Sequence, residues 1–224
     1  MPTKRNSKRQ RKLSLSLDVL VLGIDAHFEP ITEAGFQYRE SNVYPYLTSK
    51  GLTILKLQGP LAKRSYVAPE ARKPAVAYIT GIGHGSYDSF TGDYYDAIFS
   101  VGNYSEEESH NKIVHLLSCE TAKKLGPDFV THGCNAYFGY DENFSFQMDS
   151  ADLFFECDSE IDRAFADGQT ASQVKDRVRA LFDKRVQDLY AQGSAYKAAT
   201  LEFDRDHLRS PSDGSQWGSS TAKL

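Results

Sequence analysis

Short apolar runs alternate with stretches of helical spacing along most of the chain. Asp18–Ile24 (DVLVLGI), Leu52–Leu57 (LTILKL), Ala75–Ile82 (AVAYITGI), Lys112–Leu117 (KIVHLL) and Asn135–Tyr140 (NAYFGY) are branched or aromatic runs of strand length. Runs this uniformly apolar suit strands covered on both faces. Between them, Tyr38–Lys50 spaces Val43, Tyr46 and Leu47 at helical intervals and stops at Gly51. Pro45 inside it marks either the helix start or a kink. Thr121–His132 reads as a helix with Leu125, Phe129 and Val130 facing inward, and Gly133 closes it. Ala151–Ala166 and Ser172–Gln192 are helical, the second with Val174, Val178, Leu181, Phe182, Val186 and Leu189 on one stripe. Gly59–Pro74, which holds three prolines, reads as a loop. Tyr94–Val101 suits a small strand or hairpin piece, and Asn103–Asn111 a polar surface connection. The alternation predicts an α/β fold, an open, mostly parallel sheet flanked by helices with right-handed crossovers.

A length of 224 residues, 40% hydrophobic and 25% charged, suits one soluble globular domain. Its expected span is 13–209, including C-terminal helices, with Ser/Gly-rich 210–224 as a flexible tail. Met1–Lys12 (MPTKRNSKRQRK) is a basic run read as a disordered tail; nucleic-acid, membrane-surface or import roles are its alternatives. Elsewhere the net charge of -4 argues against nucleic acid as the main partner. Leu13–Ile24 is interrupted by Ser14, Ser16 and Asp18 and lacks a small-residue cleavage site, so a buried strand explains it better than a secretory signal. Nothing approaches the roughly 18 apolar residues of a membrane span. Cys119, Cys134 and Cys157 are odd in number and form no CxxC pair, which signals neither a disulfide framework nor a zinc site. A reducing, cytoplasmic setting is expected, with no metal and no cofactor.

The candidate chemistry lies at two strand ends. His84 follows the third apolar run and Cys119 the fourth, so a parallel sheet delivers both to one edge. If those strands are neighbours, their backbones lie roughly 5 Å apart and the two side chains can face one cleft. A thiol beside an imidazole can perform acyl transfer through its thiolate. A helix opening at Thr121 would favour negative charge at Cys119 and offer amides to an oxyanion. Gly83 and Gly85 allow a sharp turn beside His84, and the Gly85 amide is a second candidate oxyanion donor. Other features have plainer readings. His132-Gly133 is a helix end, His115 a core or supporting histidine, and Cys134 and Cys157 packing residues. Gly81-Ile82-Gly83-His84-Gly85 lacks the spacing of a nucleotide loop. Asp93, Asp96 and Glu106–Glu108 suit a solvated acidic surface or a regulatory loop. Tyr87, Phe90, Tyr94 and Tyr95 either wall the cleft or pack elsewhere.

The pieces AVAYITGIGHG and LSCETAKKLGPDFVTHGCNAYFGY resemble the clan of caspases, gingipains, clostripain, separase and CHAT peptidases. The second is closest in style to the CHAT and gingipain-like branches. The resemblance covers Asp18–Tyr140 and implies a caspase-like topology. It also implies a cysteine endopeptidase that cleaves a protein or peptide substrate at a limited site through a thioester. Cys119 would be the nucleophile, His84 would protonate the leaving amine, and the Gly85 and Cys119 amides would form the oxyanion hole. Leu117-Ser118-Cys119-Glu120-Thr121 departs from the caspase Gln-Ala-Cys-Arg-Gly, so aspartate at P1 is not implied. The acids matching the clan's substrate pocket are Asp25 and Asp141; if either points into it, a basic P1 residue is preferred. Bacterial relatives imply activation by a partner or signal in defence or regulated cell death. Two rivals stand beside this reading: an inactive binding module that recognises an extended peptide, and a thiol acyltransferase.

Overall fold

The computed structural model describes residues 19–224; the basic run Met1–Lys12 lies outside the described residues. Five parallel strands and one antiparallel edge strand form the main sheet, in the order β2-β1-β3-β7-β8-β9. They are β1 (Leu20–Asp25), β2 (Thr53–Gln58), β3 (Val76–Ile82), β7 (Ile113–Leu117), β8 (Ala136–Tyr140) and β9 (Leu208–Arg209). A smaller antiparallel sheet joins β4 (His84–Ser86), β5 (Ser89–Thr91) and β6 (Ala97–Ser100). The helices are α1 (Pro30–Tyr38), α2 (Tyr44–Ser49), α3 (Arg64–Ala71), α4 (Leu125–Thr131), α5 (Ala151–Asp158), α6 (Glu160–Ala166), α7 (Ala171–Ala191) and α8 (Ala195–His207). Among the described residues no helix is long and apolar enough to cross a membrane.

Strand periodicity sorts side chains into two cores. Ile113, Leu117, Phe138 and Tyr140 face one side with α1, α2 and α5–α8, while Val114, Leu116 and Tyr137 face the other with α3, α4 and the small sheet. The sheet is therefore buried on both faces, as its apolar runs predict.

Several elements differ from the expectation, each for a local reason. The helical run begins at Pro30 and passes through a π-turn, Arg39–Val43, into α2. Pro45 cannot donate to the preceding turn, and the wider turn accommodates its ring, so the helix continues through the proline. Gly59–Pro74 contains α3, with Pro69 on its exposed side, where the missing hydrogen bond faces water. The acidic loop is less solvated than expected: Glu108 is fully buried, paired with Arg64 and Arg72, and Asp93 is nearly so.

The C-terminal segment 210–224 is packed rather than loose. Trp217 inserts beside α4 and its indole N–H donates to the Ala122 carbonyl at 2.9 Å. Gly218 bridges Ala136 beside β8, and the Ala171 amide donates to Ala222 at 2.8 Å. A single buried tryptophan outweighs the Ser/Gly composition that suggested a tail.

Candidate active site

The register of β3 and β7 brings the two chemical groups to matched positions. Ile82 pairs with Leu117, and the Gly83 amide donates to the Leu117 carbonyl at 3.3 Å. His84 and Cys119 each lie two residues beyond that pair. Both residues line one small cavity of about 50 Å³ at the carboxyl edge of the sheet. A roomier cavity of about 580 Å³ opens at the opposite edge, where Val76 begins β3 and Lys112 precedes β7. Parallel α/β sheets carry their chemistry at the carboxyl edge, and the larger cavity contains neither His84 nor Cys119.

The chain turns sharply after Cys119. Glu120 has φ 57°, a left-handed conformation that is uncommon for a residue with a side chain. Its amide donates to the Glu142 carbonyl at 3.1 Å, and Ala122 donates to Tyr140 at 2.9 Å. These bonds hold Thr121–Lys124 as turns against β8, so α4 begins at Leu125 rather than at Thr121. The expected helix N-terminus beside Cys119 is therefore four residues further on, beyond the reach of a first-turn dipole effect. The thiol sits above its ordinary pKa: burial is the main cause, and the carboxylates of Glu120 and Asp204 add to it, outweighing the Phe144 amide and its own. No backbone carbonyl accepts the Cys119 amide among the described residues.

The glycine at position 85 has a steric reason. Its backbone lies against the Cys119 turn, where an added methyl would run into the Cys119 carbonyl oxygen and come within 2.9 Å of Ser118 Cβ and Thr121 Cγ2. The hairpin that carries His84 can approach Cys119 this closely only without a side chain there.

A third residue completes the arrangement, and nothing in the sequence reading had singled it out. Glu29 follows β1, the neighbour of β3 on its other side, and caps α1. One oxygen accepts the Thr32 amide at 2.9 Å and stands 3.2 Å from His84 Nε2. Burial would push Glu29 up, but the Thr32 and Ile31 amides, the Thr32 hydroxyl and His84 outweigh it and hold the carboxyl below its ordinary range. The only available signal was Glu-Pro opening an unrecognised helix. Aromatic rings also stand beside the imidazole. Tyr95 stands 5.0 Å from it and Phe28 6.0 Å, centroid to centroid. Tyr94 and Tyr95 are exposed and both in left-handed conformations. Phe90 is instead fully buried in the second core.

Neither acid expected to line a substrate pocket lines the cavity that His84 and Cys119 share. Asp25 falls in phase with Val21 and faces the α1–α2 side. It is fully buried there, accepting Arg39 Nε at 2.8 Å, Gln58 at 3.3 Å and the Tyr44 hydroxyl. Asp141 accepts His207 Nδ1 at 2.8 Å and Arg209 Nε at 2.6 Å, away from the cavity wall. His115 lies fully buried in β7, between Asp158 and Asp162. His132 ends α4 before Gly133 (φ 84°), and Cys134 and Cys157 are buried in the two cores.

No family model and no curated protein matches the chain. Among solved structures it is similar to the crystal structure of the Arg-specific cysteine proteinase gingipain R. The TM-score is 0.64 at 12% identity, over 93% of this chain. The chain spans about half of that structure's length, 48%. Sheet order, flanking helices and this similarity together show that the chain adopts the caspase-like α/β fold of gingipain R.

Proposed function

We propose that the chain is a cysteine endopeptidase acting on a protein or peptide, with Cys119 as nucleophile and His84 as its proton carrier. One observation carries the reading: the thiol and the imidazole line a common cavity at the carboxyl ends of neighbouring parallel strands. With Nε2 turned toward Glu29, Nδ1 is the nitrogen left to exchange protons with sulfur and substrate. Burial keeps the resting thiol protonated, so attack is coupled to proton transfer from Sγ to Nδ1. Sγ then bonds to the scissile carbonyl carbon, and the Cys119 and Gly85 amides are the donors proposed for the oxyanion. On collapse the C–N bond breaks, the amine leaves with the proton from Nδ1, and a thioester remains. Water adds to the thioester, giving its proton to Nδ1. The acid departs and the proton returns to sulfur.

The same protonated thiol favours a second reading, an inactive module that binds an extended peptide. An activating partner or signal that repositions the dyad, or brings positive charge to the thiol, would reconcile it with the first. Labelling by a peptidyl acyloxymethyl ketone separates them. The peptidase reading expects a covalent adduct mapped to Cys119, none in Cys119→Ala, and a loss of at least about a hundredfold in His84→Ala. Peptide cleavage that survives Cys119→Ala would overturn it.

A further inference from the structure

The cavity that holds His84 and Cys119 is apolar to its floor. Ile82 and Leu117, the last residues of β3 and β7, form part of it, together with Phe155 of α5, Thr32 of α1, and Phe144 and Phe146 from the loop after β8. Among the described residues, His84 and Cys119 are the titratable groups on its wall; Glu29, Glu120 and Asp204, the carboxylates that act on that pair, lie outside the lining. The acids at the ends of β1 and β8 are engaged elsewhere, Asp25 with Arg39 and Asp141 with His207 and Arg209, and Glu120, which follows Cys119, pairs with Lys123. Gly35 of α1 lets the helix lie against this floor, because an added methyl would run into Ile82 and come within 3.4 Å of Phe155. The space, about 50 Å³, corresponds to roughly three to five water-sized groups at 10–15 Å³ each.

Resting on the peptidase reading, we infer that this cavity receives the side chain preceding the scissile bond, and that it selects a small or medium aliphatic residue, from alanine to leucine or methionine. A guanidinium or ammonium placed there would lose its hydration with no carboxylate on the cavity wall to meet it, and a carboxylate would find there only the imidazole that the reaction uses. A large aromatic ring exceeds the space. The aromatic walls and the ends of β3 and β7 instead offer apolar surface, which favours an aliphatic side chain without demanding a charge. Basic specificity, as expected from Asp25 or Asp141, requires a carboxylate that this cavity lacks.

The test is a set of peptidyl acyloxymethyl ketones differing only at P1 (Ala, Val, Leu, Phe, Lys, Arg, Asp), read as the rate of labelling at Cys119 in the full chain. The corresponding uncleavable peptides are measured for binding to Cys119→Ala. Leucine or valine should label at least about a hundredfold faster than lysine, arginine or aspartate, and faster than phenylalanine. The variant Phe146→Asp, at a half-buried loop position, should move the preference toward lysine and arginine. Fastest labelling by a charged P1 would overturn the inference and leave the peptidase reading standing. If no ketone labels Cys119, the peptidase reading falls. The cavity is then judged by binding: preference for aliphatic P1 in Cys119→Ala upholds it, and equal or charged preference overturns it.

Discussion

Glu29 serves two purposes with one carboxylate, capping α1 through the Thr32 and Ile31 amides and meeting His84 Nε2. The two are separable by chemistry, because serine caps a helix nearly as well as any residue but is too short to reach the imidazole. In Glu29→Ser, stability measured by urea denaturation should stay within about 1 kcal/mol of the parent. The turnover number should fall at least about tenfold, with KM little changed, as expected when an imidazole loses its orienting partner. A proportional loss of stability and turnover would reduce Glu29 to a helix cap. His84 and Cys119 were legible as candidates because each follows an apolar run of strand length. Glu29 was not, since its partner is 55 positions away and only the pairing of β1 with β3 brings them together.

Between β7 and helices α5 and α6 lies a buried ionic cluster that binds the sheet to the helical layer. His115 Nε2 is 3.2 Å from Asp158 Oδ1, and Nδ1 is 3.4 Å from Asp162 Oδ1, an ion-pair distance rather than a hydrogen bond. Asp162 also accepts Thr80 at 2.7 Å, Tyr78 at 2.6 Å and Arg39 at 3.2 Å, and Asp158 accepts Tyr140 at 3.0 Å. Burial alone would lower the His115 pKa, but the two carboxylates outweigh it and raise it to about 9. A folded pKa above the unfolded value near 6.5 gives a contribution that is complete below about pH 6.5 and is lost as pH rises through about 9. The unfolding free energy from urea denaturation should therefore fall between pH 7 and pH 10, by an amount on the order of a few kcal/mol at most. The variant His115→Gln should lose most of that slope, and an unchanged slope would assign it to other groups. The apolar pattern KIVHLL placed His115 in a strand, but the carboxylates that charge it come from 43 and 47 positions further along the chain.

At the scale of the whole molecule, the C-terminal segment returns to the turn that follows Cys119. Trp217 packs in the second core, and its indole N–H holds the Ala122 carbonyl, three residues beyond Cys119 in the turn that the Ala122 amide also ties to Tyr140 of β8. Replacing it by alanine removes a large buried ring and one restraint on that turn. Trp217→Ala should cost about 3–5 kcal/mol in urea denaturation and slow the labelling of Cys119 under conditions where the fold remains populated. Loss of stability with labelling unchanged in the folded fraction would restrict the tryptophan to packing. The composition of 210–224 concealed this role, because one aromatic residue among serines and glycines decides the segment's position.

The sequence by itself determined the parallel sheet and its two-sided burial, since uniformly apolar runs of strand length separated by helical spacing admit few other arrangements. It also determined that a histidine and a cysteine end strands at one edge, because parallel strands share a direction. Tertiary structure alone decided which charges face which groups. The two-residue alternation turned Asp25 away from the cleft and into Arg39, the approach of β1 to β3 delivered Glu29 to His84, and the helical layer closed an uncharged floor beneath Cys119. Periodicity is local and can be read along a chain, whereas ion pairs and cavity walls form between segments that only the packed fold makes neighbours.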